Sequence, residues 1–185
     1  TVNAKECKNN GTLNAPIQKN GSWDLLKYGP FTIKPVYQFS GQLKLLATNN
    51  FLYSYDRTME SMISPIDIVL GWGPASNNDI INQLIFHTRN RWLQILYKDD
   101  NYLNLPKLST IYSHISHSHV IPSSIQIQEQ ILSTAINKNI YVEGYLVNVE
   151  YPDKNWTWNT SNERLDTGIG ACEIFYITKW EFCSD

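Results

Sequence analysis

Alternation of apolar and polar residues is the clearest pattern in this chain. From Tyr37 to Leu45 the two kinds of side chain alternate, which is the period of a half-buried β-strand. The segments 91–97 and 140–151 also have strand character, and the second is apolar on both faces, as is typical of a central strand. A less regular strand is predicted over 171–182. The chain is therefore expected to be rich in β-structure.

Two segments have the pattern of a helix. Ser123–Gln126 follows Pro122 as a capping box, and apolar residues between Ile125 and Ile136 form a stripe along one helix face. A second, shorter helix is predicted to begin near Ser76–Asp79 and to carry apolar residues as far as Leu84. Together these elements predict an α+β fold in which mainly antiparallel strands form a curved sheet or small barrel, with one or two packed helices.

Composition predicts one domain. Residues 1–22 are expected to form a polar N-terminal arm and 23–185 a single globular β-rich domain, because no linker rich in Pro, Gly or Ser divides the chain. The formal net charge is −2 and the signs are interspersed, so there is no basic surface for nucleic acid or anionic lipid. We therefore predict no nucleic-acid partner.

Three cysteines, at positions 7, 172 and 183, match no close-spaced zinc motif. Two arrangements are open. Cys7 and Cys183 lie near the two ends of the chain, which often meet at a domain surface, so they could form a disulfide and leave Cys172 free. The arrangement that we expect is three reduced thiols.

Four segments together resemble a family of small uncharacterised proteobacterial proteins: Tyr53–Arg57, Ser64–Pro74, His119–Pro122 and Trp156–Glu173. The family pattern includes Leu-Gly-Trp-Gly, His-x-x-Pro and Asp-x-Gly-x-Gly-Ala-Cys-Glu motifs, and the similarity covers about Phe31–Ile174. Many members carry an N-terminal hydrophobic anchor. The resemblance therefore implies a periplasmic domain, tethered to the inner membrane by a segment that is not in this chain. It implies no known activity.

Charged and aromatic residues in these motifs suggest a ligand site, because arginine forms paired hydrogen bonds with carboxylates and indoles stack on the apolar faces of sugars. The candidate binding residues are Asp56, Arg57, Trp72, His114, Arg164 and Asp166. We predict an exported envelope domain, a non-catalytic binding or structural module for a partner protein or a glycan-like ligand, with no cofactor. The same residues could instead form ion pairs and core contacts.

An alternative hypothesis is a Cys–His enzyme of transpeptidase or hydrolase type. Cys172 would be the nucleophile and His119 the base, with backbone N–H groups near Gly168 and Gly170 stabilising an oxyanion. The arrangement faintly resembles the His and Ser-x-Gly-Cys elements of L,D-transpeptidases. Cys172 could equally be a small buried residue. Catalysis requires an accessible sulfur within hydrogen-bond distance of an imidazole.

The histidines at 114, 117 and 119 raise the possibility of a metal site. On a strand, His117 and His119 share one face while His114 points the other way. All three therefore cannot bind one ion without a turn, and we predict no metal.

Overall fold

The computed structural model describes residues 12–54, 58–100, 102–161 and 172–183. Its strands are β1 (Ile17–Asn20), β2 (Leu26–Tyr28), β3 (Phe31–Asn50), β4 (Ile66–Gly71), β5 (Leu84–Arg89), β6 (Trp92–Tyr97), β7 (Ile115–Pro122), β8 (Asn139–Tyr151), β9 (Trp156–Trp158) and β10 (Glu173–Phe182). Its α-helices are α1 (Met59–Ile63), α2 (Asn78–Ile81), α3 (Leu108–Tyr112) and α4 (Ile125–Ser133), and short 3-10 helices span Gly73–Ser76 and Pro152–Lys154.

Five strands close into a barrel. Around the ring, β3 pairs with β4, β4 with β7, β7 with β10, β10 with β8, and β8 again with β3. Only the pairing of β7 with β10 is parallel among these five, and α4 connects the third barrel strand to the fourth. OB-fold barrels have this connectivity. The predicted α+β class, with a curved and mainly antiparallel sheet, is confirmed.

The long strand β3 makes closure possible. It pairs with β8 along Thr32–Lys44 and then with β4 along Lys44–Asn50, while β1 and β2 cover its other edge near the start. Next to β3, β8 and β10 approach closely at Gly144, where a Cβ atom would lie 2.1 Å from the carbonyl oxygen of Tyr176. A glycine is required there for steric reasons.

The barrel interior is filled by alternate residues of its strands. They are Phe39, Leu43, Leu45, Ile66, Ile68, Leu70, Val120, Ile140, Val142, Leu146, Phe175, Ile177 and Trp180. Ile131 of α4 covers one end of this core, and Thr134 accepts a 2.9 Å hydrogen bond from the indole of Trp180. The predicted helix is present as α4, but its cap lies one residue later than the predicted capping box: the Ser124 hydroxyl accepts from the backbone N–H of Ile127.

Residues between β4 and β7 form a smaller unit on the barrel surface. The β5–β6 hairpin, α2 and α3 share a core that includes Ile81, Ile95 and Ile111, and this core packs on Val69 from the outer side of β4. The predicted short helix is α2, although Leu84, which we expected on it, begins β5. Propensity alone does not decide such a boundary, because Leu84 pairs with Tyr97 in the hairpin.

Part of the predicted N-terminal arm belongs to the barrel domain. Leu13 is buried in the barrel core, and β1 forms a ladder with β3. Cys183 takes part in a disulfide and Cys172 is a reduced thiol, so the expectation of three reduced cysteines is wrong. Cys7 lies outside the described residues. Within the described ranges no helix is long and apolar enough to cross a membrane.

Candidate functional site

The candidate site lies on the outer face of β4 and β7. Strand β4 is apolar except for Asp67, whose neighbours Ile66 and Ile68 point into the barrel. Alternation along the strand therefore turns Asp67 outward. It stands directly opposite His119 of β7, and its side chain is only 1% exposed. A buried carboxylate on an otherwise apolar strand needs specific partners.

One oxygen of Asp67 holds two of these partners. Nη1 of Arg91 donates to Oδ1 over 2.6 Å, and Nδ1 of His119 donates to the same oxygen over 2.8 Å. The second oxygen, Oδ2, is buried and has no hydrogen-bond partner in the described part of the chain. Oδ1 is therefore hydrogen-bonded within the protein, while Oδ2 has no hydrogen-bond partner among the described residues.

Arg91 reaches the barrel from the tip of the hairpin. Both Asn90 and Arg91 have positive φ angles, 48° and 64°, as a tight two-residue hairpin turn requires. Nη2 of Arg91 donates to the carbonyl oxygen of Ser64 over 2.7 Å, and its Cζ lies 4.3 Å from the ring centroid of Phe51. Burial lowers the pKa of Arg91, and the charge of Asp67 opposes that change.

His117 and Cys172 form a second polar pair on the same face. The thiol sulfur lies 3.3 Å from Nδ1 of His117, and Cys172 is half-buried. Burial, and next the neighbouring His119, lower the pKa of His117 to about 4, so its imidazole is neutral at pH 7. Nε2 of His117 is buried without a hydrogen-bond partner among the described residues. The rings of His117 and His119 are 5.5 Å apart.

Indole rings border this face. Trp158 lies on β9, and its ring centroid is 5.0 Å from that of His119 and 6.0 Å from Cζ of Arg91. Trp156 follows at 6.1 Å from Trp158. Both indoles are half-buried, so they offer an apolar surface beside the polar groups.

The residues predicted to form a binding face are not all brought together. Trp72 is buried in the barrel core, and its ring lies 6.4 Å from that of His114. Trp72 is five residues along β4 from Asp67, about 16 Å at strand spacing, so Trp72 and His114 lie at the other end of the strands from His119. Asp56, Arg57, Arg164 and Asp166 lie outside the described residues.

The two residues of the enzyme hypothesis are neighbours but not partners. The thiol of Cys172 contacts His117, whereas His119, which we paired with it from the sequence, is hydrogen-bonded to Asp67. Gly168 and Gly170 lie outside the described residues. Half-burial of the sulfur and its distance from an imidazole nevertheless meet the geometric condition for a Cys–His pair.

Sequence analysis missed Asp67 and Arg91. Asp67 is an isolated acid in the run Ile66–Leu70, and that contrast was the available signal, since a charge on a buried strand is found with a partner. Arg91 carried no such signal, because its place depends on how the hairpin packs against the barrel.

Comparison with known proteins adds no assignment to this geometry. The described ranges contain no group of three His, Cys, Asp or Glu residues that could hold a metal ion. No family model, curated protein or solved structure matches the chain.

Proposed function

We propose that this chain is a non-catalytic binding domain whose ligand occupies the outer face of β4 and β7. The observation that carries the proposal is the buried Asp67 carboxylate. One oxygen is bonded to Arg91 and His119, and the other has no hydrogen-bond partner among the residues that the structure describes. An unsatisfied buried acceptor is costly. A ligand that donates to it would recover that cost.

Fold analogy points to the same face. In OB-fold barrels the second and third strands and the adjoining loops commonly bind oligosaccharides or oligonucleotides, and β4 and β7 are the second and third barrel strands here. The net charge of −2 disfavours the nucleic-acid case. The fold alone does not determine function, so the analogy supports the location rather than the ligand.

Acid–base chemistry favours binding over catalysis. A general base works best when its pKa is close to the working pH. The pKa of His117 is lowered to about 4 by burial and next by His119, so His117 is a weak base for the thiol of Cys172 at pH 7.

The proposal also includes a cellular compartment for the domain, the periplasm. Structural disulfides persist in oxidising surroundings such as the bacterial periplasm, and Cys183 is disulfide-bonded. This bond supports a periplasmic domain, and a membrane tether would lie in a segment outside this chain. Fractionation of cells that express the complete protein tests the assignment. Recovery with cytosolic markers, with Cys183 open to alkylation, would contradict it.

The binding proposal is tested by NMR with four probe classes: methyl glycosides, N-acetylated amino sugars, uronic acids and short neutral peptides. At least one class should shift the indole N–H signal of Trp158 and amides of β4 and β7, and Asp67→Asn should abolish the shift. Trp180, which is buried in the barrel core, is the internal control. If no class perturbs Trp158, the proposal fails.

A protein partner has a second surface available. The outward face of the β5–β6 hairpin exposes Ile85, Trp92 and Leu96, and Ile85 pairs with Leu96 across the strands. Exposed apolar side chains that adjoin one another favour an interaction role.

The alternative candidate is a Cys–His enzyme, and the 3.3 Å distance between the Cys172 sulfur and Nδ1 of His117 favours it. Iodoacetamide labelling across pH, followed by peptide mass spectrometry, separates the two candidates. Rapid labelling of Cys172 below pH 7 that is slowed by His117→Ala would support the enzyme. Slow labelling that His117→Ala leaves unchanged would support the binding domain.

A further inference from the structure

Two unsatisfied polar atoms lie on one face of the barrel. Oδ2 of Asp67 and Nε2 of His117 are both buried, and neither has a hydrogen-bond partner among the described residues. Asp67 is opposite His119, and His117 is two residues before His119 on the same strand, so Asp67 and His117 are diagonal neighbours. The backbones of such neighbours lie about 7–8 Å apart, so one ligand with two neighbouring hydroxyl groups can contact both side chains.

The two atoms require different hydrogen-bonding groups from a ligand. A carboxylate oxygen can only accept, so Oδ2 requires a donor. Nε2 of a neutral imidazole donates or accepts according to which ring nitrogen carries the hydrogen. Nδ1 of His117 faces the thiol of Cys172, and either tautomer suits that contact. A hydroxyl group both donates and accepts, so it satisfies Nε2 in both tautomers and also Oδ2.

Charged ligands fit the site less well. The charge of Asp67 is matched by Arg91 at 2.6 Å, and burial keeps His117 neutral at pH 7 by lowering its pKa to about 4. A carboxylate or phosphate ligand has no hydrogen to give to Oδ2, and it would approach a carboxylate. An ammonium ligand would satisfy Oδ2 but would lie beside the guanidinium of Arg91.

Trp158 supplies an apolar surface next to these atoms. Its ring is 5.0 Å from His119, and Trp158 and Arg91, at 16% side-chain exposure, both keep part of their surface in solvent. A ligand would contact these two side chains first. An indole beside hydroxyl-binding groups suits the C–H face of a sugar ring.

We propose that the ligand of this face is an uncharged carbohydrate with adjacent hydroxyl groups, one donating to Oδ2 of Asp67 and the next bonded to Nε2 of His117, with the sugar ring against Trp158. This inference rests on the binding function proposed above, and it names the ligand class for the same site.

The test uses the whole chain at pH 7 and measures tryptophan fluorescence and heat of binding. The probes are neutral trisaccharides of gluco, galacto and manno configuration, together with glucuronate, glucosamine and N-acetylglucosamine trisaccharides. At least one neutral hydroxylated trisaccharide should bind, while the glucuronate and glucosamine probes should bind at least tenfold more weakly. Trp158→Ala and Asp67→Asn should each weaken binding at least tenfold, and Phe182→Ala, at an exposed aromatic residue, should leave it unchanged.

Several outcomes overturn the proposal. Preference for a charged probe would refute the ligand class but leave the binding function standing, provided that Asp67→Asn and Trp158→Ala weaken that binding. If no neutral sugar binds, the ligand class is also refuted. The short peptides of the NMR test then decide whether this face binds any ligand. A crystal structure in which one water bridges Oδ2 and Nε2, and stays when sugar is added, would refute the contacts. Because Asp67→Asn could unfold the chain, Trp158→Ala is the deciding variant, with its melting temperature as control.

Discussion

Asp67 and His119 stand opposite each other on antiparallel strands and are joined by a 2.8 Å hydrogen bond from Nδ1 to Oδ1. Arg91, from the tip of a hairpin that belongs to a separate packing unit, donates to the same oxygen. One carboxylate oxygen therefore links two barrel strands and the surface unit. Its removal should affect stability as well as any ligand.

Replacing Asp67 by alanine should lower the free energy of unfolding by about 3 kcal/mol. The cost arises because Arg91 would be left as a largely buried charge without its counter-ion. Urea denaturation at pH 7 measures it, and Asp24→Ala, at an exposed position, is the control, with an expected change within about 0.5 kcal/mol. Adding Arg91→Leu to Asp67→Ala should recover part of the loss. A double variant no more stable than Asp67→Ala would contradict this account.

The stability of the protein should depend on pH through His117. Burial, and next His119, lower the folded-state pKa of His117 to about 4, whereas an unfolded histidine has a pKa of about 6.5. Between these values the unfolded chain binds more protons, so stability rises with pH. The contribution is complete above about pH 6.5 and is lost as the pH falls toward 4, to a total of about 3 kcal/mol.

Urea denaturation at pH 7.5 and pH 4.5 tests this dependence. The variant His117→Asn should lose less stability between the two pH values than the wild type, because it lacks the titrating imidazole. His87→Asn, at an exposed position of β5, controls for the loss of a histidine. Equal pH dependence in His117→Asn and the wild type would show that His117 is not the source.

Gly144→Ala should destabilise the barrel by about 3 kcal/mol or prevent folding. The added Cβ would lie 2.1 Å from the carbonyl oxygen of Tyr176, so β8 and β10 would have to separate, and overpacking of this kind is costly. Gly29→Ala is the matched comparison: Gly29 has a φ of 57° and open space around it, so we expect a loss of about 1 kcal/mol. Thermal and urea unfolding of both variants give the comparison, and equal losses would argue against a steric role of Gly144.

Opening the disulfide at Cys183 should cost about 3 kcal/mol. We expect Cys183→Ser to unfold at lower urea concentration than the wild type, and dithiothreitol to destabilise the wild type by a similar amount. Cys172→Ser, which alters a cysteine outside the disulfide, is the control and should respond to dithiothreitol as the wild type does. Further destabilisation of Cys183→Ser by dithiothreitol would contradict a single stabilising disulfide.

Local patterns predicted the elements better than their arrangement. The alternation in β3 and the strand character of β8 follow from short-range chemistry, and the structure has both strands, and helix α4, where the sequence indicated. The helix cap is one residue away from the predicted position. Closure of the barrel is different, because β3 and β8 pair across about a hundred residues and nothing local sets that partner.

Register explains why the thiol meets His117 rather than His119. Both histidines lie on the same face of β7, as the sequence predicted, and this is the outer face of the barrel. The parallel pairing sets Glu173 against Ser118 and Ile174 against His119, so Cys172, one residue before Glu173, comes to lie beside His117. A shift in that ladder would exchange the two histidines, and no sequence pattern fixes it.

Because β3 pairs both with the next barrel strand, β4, and with the distant strand β8, the order of events during folding is constrained. Its second half can pair with β4 as soon as residue 71 has been made, but its first half must wait for β8, which ends at residue 151. The β5–β6 hairpin, by contrast, joins neighbouring residues and can form within microseconds. We therefore expect slow folding, limited by the pairing of β3 with β8. Until β8 has been made, this edge of β3 is exposed and needs protection.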